Sequence, residues 1–385
     1  MNRLKDDPIA SQFDSTAYQL VDKIGEGGFG HVYKATQVNT GQTVAIKFLS
    51  ISSDFDANKR QRYIERFERE TLLSSRLQHP NIVRLLDKGN SGDLLFAVFE
   101  FVEGKTLKQT LIDNGPLSAS QAADVMTQVL DALAHAHQQG VIHRDIKPAN
   151  IILSETAAKL HAKVLDFGIG TLVSEARVHD YKSITLTQET LGTPSYSSPE
   201  QLRGEPPTLK TDLYVWGLVF IECLTGKPTM SGSNLASVFH KQLSQDNVPL
   251  PAALVGHPLA ALLRRVLQKK VHQRSVTAEG LYQELIAINC ANIVGQLSCE
   301  TESEPQNPLP TDDATMINDS PLLNTGLTER KQLTVMAIYL TVKSVTDKLI
   351  DSDVVDTLHR DQKNQCLDIA TRYGAFQVGS FADAQ

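Results

Sequence analysis

Several large classes of protein are excluded by what this chain lacks. Its four cysteines, Cys223, Cys290, Cys299 and Cys366, are widely spaced among 385 residues and form no Cys-x-x-Cys pair. Neither a zinc site nor a disulfide framework is indicated, and a reducing cytoplasm is the expected location. Positive charge is not in excess: the formal net charge of -7 supplies no basic field for gripping nucleic acid. Long hydrophobic runs are missing too. The longest apolar stretch, 213–224, contains Glu222 and is too short to cross a bilayer, so it is expected to be a buried helix rather than a membrane span. Residues 1–7 carry charges with no apolar run behind them, which argues against a signal peptide. No repeat recurs at a fixed period, which sets solenoids and propellers aside.

The length implies two or three units, one of them incomplete. From about 18 to 102, short β-rich runs alternate with Gly and Asn turns around one charged helix at 57–77, predicting a small sheet with a single helix. Beyond Gly104 the period becomes helical, with Ser118 as a cap before a helix at 122–139, then helices near 212–225 and 258–267. This is an α+β arrangement. A first segment of 17 residues precedes it as an extension. The folded region is expected to close at 290, followed by a linker over 291–329 that is rich in Glu, Asp, Asn, Ser, Thr and Pro. After it, a strand at 333–342, a helix at 344–373 and a second strand at 375–381 read as part of an α/β unit spanning 330–385.

Chemistry concentrates in three places. His143-Arg144-Asp145-Ile146-Lys147-Pro148-Ala149-Asn150 offers a carboxylate, an ammonium and a carboxamide at fixed offsets, and one short hairpin later comes Asp166-Phe167-Gly168. Upstream, Gly25-Glu26-Gly27-Gly28-Phe29-Gly30 lies between strand-like runs, where glycines let backbone amides fold over phosphate oxygens. By itself that stretch reads better as a glycine-rich hairpin turn, and the absence of a following helix disfavours a dinucleotide fingerprint. Val44-Ala45-Ile46-Lys47 sets a lysine on a strand suited to burial, where an ammonium needs an anionic partner. Glu70, next to the apolar pair Leu72-Leu73, is the candidate, while Glu65 and Glu68 belong to a solvated face.

Together these residues resemble the protein kinase family, specifically the eukaryotic-like Ser/Thr kinases of bacteria, over roughly residues 18–288. The resemblance implies a two-lobed fold with ATP between a β-rich and a helical lobe, and transfer to a Ser or Thr hydroxyl. It assigns Lys47 to the α/β-phosphates and to a pair with Glu70, Asp145 to the attacking hydroxyl, Lys147 to charge on the transferred group, and Asn150 and Asp166 to magnesium. Ile24, Val32, Ala45 and Ile152 would sandwich the adenine, with backbone near Glu100 and Val102 receiving its edge. The phosphates would lie under Gly25, Gly27, Gly28 and Gly30. Lys147 and Thr193 match the Ser/Thr branch. Ser198-Pro199-Glu200 stands where Ala-Pro-Glu is usual; Glu200 would pair with Arg274, and Asp212 would brace the catalytic loop.

Between Asp166 and Glu200 lies a polar stretch with Ser183, Thr185, Thr187 and Thr190. The resemblance makes Arg144 the receptor for a phosphate there, and Thr185 or Thr187 the expected site of autophosphorylation. The tail, through Glu329 to Val335, Arg372-Tyr373-Gly374 and Phe381 to Ala384, resembles the opening third of a class III nucleotide cyclase domain. There Tyr339 occupies the place of the first metal-binding aspartate and cannot replace it, whereas Asp383 matches the second. A cyclase is therefore disfavoured. A truncated sheet exposes an edge, so a homodimer through the kinase region or the tail is an expectation. The leading reading is a magnesium- and ATP-dependent Ser/Thr kinase acting on proteins; the alternative is a nucleotide-binding pseudokinase scaffold. The catalytic set, of which no member is missing, separates them.

Overall fold

The computed structural model describes residues 7–27, 30–50, 56–92, 94–156, 159–167, 194–232 and 234–293. The chain divides into two units, Met1–Gln306 and Asn307–Gln385. All of the second lies outside the described residues, including the expected α/β elements of the tail with Tyr339 and Asp383.

The first lobe is a five-stranded antiparallel sheet in the order β1-β2-β3-β5-β4, formed by β1 (Tyr18–Gly27), β2 (Gly30–Gln37), β3 (Thr43–Ser50), β4 (Leu85–Ser91) and β5 (Leu94–Glu100). Successive side chains of a strand point to opposite faces, and both faces of this sheet are apolar. Val44, Ile46 and Phe48 join Tyr33, Ala35, Phe96 and Val98 in one cluster, which also takes up Ile9 from α1 (Pro8–Gln12). On the other face Leu49, Leu95, Ala97 and Phe99 meet Phe67 of α2 (Ala57–Ser75). Lys47 shares the parity of Ala45 and Leu49 and so belongs to this second face.

α2 occupies the position of the expected charged helix, and of the Leu72-Leu73 pair only Leu73 packs on the core. Leu72 is 53% exposed, and the buried positions are Phe67, Glu70, Thr71 and Ser74. These follow the i, i+3, i+4, i+7 spacing of one helical face, which places Leu72 on the outside.

The helical lobe follows β6 (Lys105–Thr106) and α3 (Leu107–Asn114). Ser118 caps α4 (Ala119–Gln138) in a capping box with Gln121, as its sequence position suggests. The hairpin β7 (Ile151–Thr156) and β8 (Lys159–Val164) pairs with β6. Then come α5 (Pro199–Leu202), α6 (Leu209–Thr225), α7 (Leu235–Leu243), α8 (Pro258–Val266) and α9 (Ala278–Ala287). Every residue from Thr211 to Leu224 of α6 is buried, so this helix is the axis of the lobe. Each large apolar side chain there contributes about 1.5–3 kcal/mol by leaving water. The Trp216 indole donates to the Met126 carbonyl at 2.9 Å, tying α6 to α4. At Gly217 a Cβ would come within 2.9 Å of Leu267, so the missing side chain is what lets the end of α8 pack against α6. Among the described residues no helix is long and apolar enough to cross a membrane.

A 3-10 turn, Cys290–Asn292, buries Cys290, and Ile293 packs on the helical core.

Among the described residues one ion pair is fully inside this lobe. Arg274 is 0% exposed, reaches Glu200 with both terminal nitrogens at 2.6 and 2.8 Å, donates through Nε to the Gln268 carbonyl at 2.6 Å, and lies over the Tyr214 ring. Burial pushes the Glu200 carboxyl upward, but the Arg274 guanidinium and the Thr211 hydroxyl more than offset it, and its pKa lies below the usual value. The expected Glu200–Arg274 pair is thus present. Arg274→Ala would leave a buried carboxylate without its counter-charge and should cost about 3–5 kcal/mol in urea unfolding at neutral pH; a loss below about 1 kcal/mol would contradict this account.

Candidate active site

The loop joining α4 to β7 is fixed from three sides. Asp212, one turn into α6, accepts the backbone N–H of His143 at 2.9 Å and that of Arg144 at 2.8 Å, and its Oδ2 also faces His137 Nε2 at 2.9 Å. These bonds hold Arg144 at φ 69°, a left-handed conformation that ordinary residues avoid. Gln201 of α5 donates to the Arg144 carbonyl at 2.8 Å. His143 is buried, donates from Nε2 to the Leu165 carbonyl at 2.7 Å, and receives the Asp145 N–H on Nδ1 at 3.2 Å. Its ring stands edge-on to Phe167. It is a support for the loop.

On this frame Asp145, Lys147 and Asn150 converge. Lys147 Nζ lies 2.8 Å from Asp145 Oδ2. Asn150 Nδ2 donates both to that oxygen, at 2.9 Å, and to the Asp145 carbonyl, at 2.8 Å. With its amide hydrogens so engaged, Asn150 keeps Oδ1 as an acceptor. Across the cleft Lys47, nearly fully buried, meets Asp166 Oδ2 at 2.7 Å. Asp166 also has a positive φ, 59°. Burial alone would raise its carboxyl, yet the Lys47 ammonium, with His143 and Lys147 further off, holds it below the usual carboxylate range. It is therefore an anion at neutral pH.

Glu70 is 6% exposed on the inward side of α2. Of the walls expected for adenine, Val32 and Ala45 lie on the face of the sheet that carries Lys47, and Ile152 lies on β7. Register pairs Val32 with Lys47 and Ala45 with Phe99, and Val32, Ala45 and Ile152 are half-buried while Tyr33, Ile46 and Leu153 beside them are buried. Ile24 is 48% exposed on β1. Glu100 ends β5 and receives Lys163 at 2.7 Å, and Val102 lies just beyond the strand. Gly25 and Gly27 end β1 and Gly30 opens β2 at φ 111°, where a Cβ would collide with the Phe48 carbonyl. Gly28, Gly168, Ser183, Thr185, Thr187, Thr190 and Thr193 lie outside the described residues.

The protein kinase domain family model matches residues 18–286. This chain belongs to the protein kinase family. Serine/threonine-protein kinase PkaA of Streptomyces coelicolor is 36% identical over 316 residues, covering 76% of this chain and 56% of PkaA. Serine/threonine-protein kinase PrkC of Bacillus subtilis is 37% identical over 276 residues, covering 70% and 40%. Serine/threonine-protein kinase PknB of Mycobacterium leprae is 34% identical over 281 residues, covering 71% and 43%. The chain thus spans about half the length of the curated relatives it matches.

Two kinds of residue around the site carry no motif signal. Ser198 replaces the usual alanine and caps α5, with Gln201 completing a capping box, so the departure has a local structural use. Ser74, one turn after Glu70 on α2, donates to the Phe167 carbonyl at 2.6 Å across 93 residues of sequence. A serine inside a helix reads as neutral; only its place on the Phe67-Glu70-Thr71 face could have drawn notice. This bond ties α2 to the residue next to Asp166. Ser74→Ala would leave that buried carbonyl unpaired, and should cost about 1–2 kcal/mol in stability while Ser74→Thr restores part of it. Denaturant unfolding of the three proteins checks this, and equal midpoints would refute it.

Proposed function

We propose that this chain is a Ser/Thr protein kinase that transfers the γ-phosphate of ATP to hydroxyls of protein substrates. The observation that carries this reading is the convergence of Asp145, Lys147 and Asn150 within 2.8–2.9 Å opposite the Lys47–Asp166 pair. Phosphoryl transfer needs in-line positioning and cations near oxygens that gain negative charge, with little covalent work for the protein. Asp145 orients the incoming hydroxyl and accepts its proton. Lys147, already beside Asp145, neutralises charge on the group in transit. Lys47 holds the α/β-phosphates and is itself held by Glu70. Ile24, Val32, Ala45 and Ile152 enclose the base, and the backbone near Glu100 and Val102 meets its edge, with Gly25, Gly27, Gly28 and Gly30 over the phosphates.

The donor set also suits magnesium. A carboxylate kept ionised at Asp166 and the carboxamide oxygen of Asn150 are the hard oxygen ligands this ion prefers. When bound there the ion would neutralise phosphate charge. Asp145→Ala is expected to lower incorporation of labelled phosphate into protein by about a hundredfold or more; equal incorporation by wild type and variant would remove the kinase reading.

We further infer that activity is switched by phosphorylation of the segment between Asp166 and Glu200. Among the described residues the buried Nε of Arg144 has no acceptor, which supports a role in receiving a phosphate. Thr185 and Thr187 are the expected acceptors of autophosphorylation. Mass spectrometry of protein incubated with magnesium and ATP should find phosphate on one of them, absent in Asp145→Ala; unmodified hydroxyls throughout this segment in an active preparation would count against the switch. A cytoplasmic signalling role, protein partners rather than nucleic acid, and a homodimer through the kinase region or tail complete the proposal.

A further inference from the structure

Residues 7–17 precede the region matched by the family model, yet they are built into the first lobe. Asp7 is the anchor. Its Oδ1 caps α1 by accepting the N–H groups of Ile9 and Ala10 at 3.0 and 3.2 Å, and also accepts the Tyr33 hydroxyl of β2 at 2.7 Å, while Lys23 of β1 lies 3.9 Å from Oδ2. Ile9 is buried. The Phe13 ring then sits edge-on to Phe48 of β3 at 4.9 Å and to Phe96 of β5 at 5.3 Å. Finally, Ser91 at the end of β4 donates to the Gln12 carbonyl and accepts the Asp14 N–H, both at 3.2 Å. One short segment therefore bonds to or packs on every strand of the sheet.

The face it covers is the reverse of the one that carries Lys47. Val44, Ile46 and Phe48 alternate with Ala45 and Lys47 along β3, so the height of β3 above the cleft is set by what lies behind it. Phe48 is the contact that matters. It follows Lys47 directly, its carbonyl occupies the space a Cβ on Gly30 would need, and its ring carries Phe13. Phe96 is confined on its other side, because a Cβ on Gly89 would strike its ring. Edge-on aromatic packing of this kind is worth about 0.5–1.5 kcal/mol beyond burial and fixes orientation as well as distance. Interiors packed this closely transmit displacement instead of absorbing it.

We propose that residues 7–17 form a positioning strap for the nucleotide site, with Phe13 as its positioning residue. The strap clamps the back of β3 and thereby sets Lys47 and the Gly30 end of the glycine loop against the phosphates. This inference rests on the ATP-dependent reading above.

The test uses the full chain and titrates a fluorescent ATP analogue, with magnesium, into the wild type, Phe13→Ala, Phe13→Leu, Asp7→Ala and Leu254→Ala. Leu254 is fully buried in the core of the helical lobe, far in sequence from the strap, and serves as a control for lost stability alone. Phe13→Ala should weaken binding roughly 3- to 30-fold, the span of couplings carried through packed contacts. Asp7→Ala should act in the same direction, and Phe13→Leu, which refills the slot, should recover most of the affinity. Leu254→Ala should lower the urea midpoint with the dissociation constant unchanged. Unaltered binding by both Phe13→Ala and Asp7→Ala would overturn the strap and leave the ATP site standing. Equal weakening by Leu254→Ala would overturn it as well, by assigning the effect to general destabilisation. No binding by the wild type would remove the ATP reading and the strap with it.

Discussion

The carboxylate of Asp212 is the constraint on which the site depends. It is 1% exposed, so its charge is stable there only because hydrogen-bond donors surround it. Two of those donors are consecutive backbone amides, His143 and Arg144, and consecutive amides can point at one acceptor only if the chain turns sharply between them. The turn is the positive φ of Arg144, which costs about 1–2 kcal/mol for a residue with a side chain. Hydrogen bonds to a charged acceptor contribute about 1.5–3 kcal/mol each, so two of them hold the turn with something left over. Asp145, Lys147 and Asn150 inherit their places from that turn. Because Asp212 belongs to a helix buried along nearly its whole length, these three side chains are referenced to the centre of the helical lobe.

The other half of the site hangs on a thinner sheet. Lys47 and Asp166 come from different lobes and meet at 2.7 Å, and their relative position is maintained by a few long-range bonds. The backbone of Val164 accepts from Val83 at 3.0 Å and donates to Asn81 at 2.8 Å, so the segment after α2 runs on to the strand that delivers Asp166. Ser74 adds a side-chain bond to Phe167. A shift of α2 therefore acts on Glu70 and on the Asp166 segment together. The placement of Glu70 and Asp166 can change through α2 while the loop held by Asp212 stays where it is.

How much of this was legible in the sequence follows from the range of the interactions. His143 to Asn150 could be read because its residues are contiguous and converge through bonds spanning two to five positions, such as Lys147 to Asp145 and Asn150 to Asp145. The buried run of α6 and the Ser118 cap could be read because they express local period and local chemistry. On α2 only Glu70 was singled out; burial there follows the helical spacing through Phe67, Glu70, Thr71 and Ser74, three of which carry no motif. Ser74, Phe13 and Asp7 gave no signal, since each acts on a partner whose proximity is created only by the completed fold.

The small lobe's sheet makes the last point physically. A sheet buried on one face and wet on the other would read as alternating apolar and polar residues, but β3 is apolar at Val44, Ala45, Ile46, Phe48 and Leu49 and interrupted only by Lys47. Such a strand needs cover on both sides. α2 supplies one cover and residues 7–17 the other, so the extension completes the sheet's burial instead of being appended to it. The single ammonium in that apolar strand is tolerable because Asp166 meets it on the cleft side. Packing behind the strand and charge in front of it thus act on the same residue from opposite faces, and a change in either would be felt at Lys47.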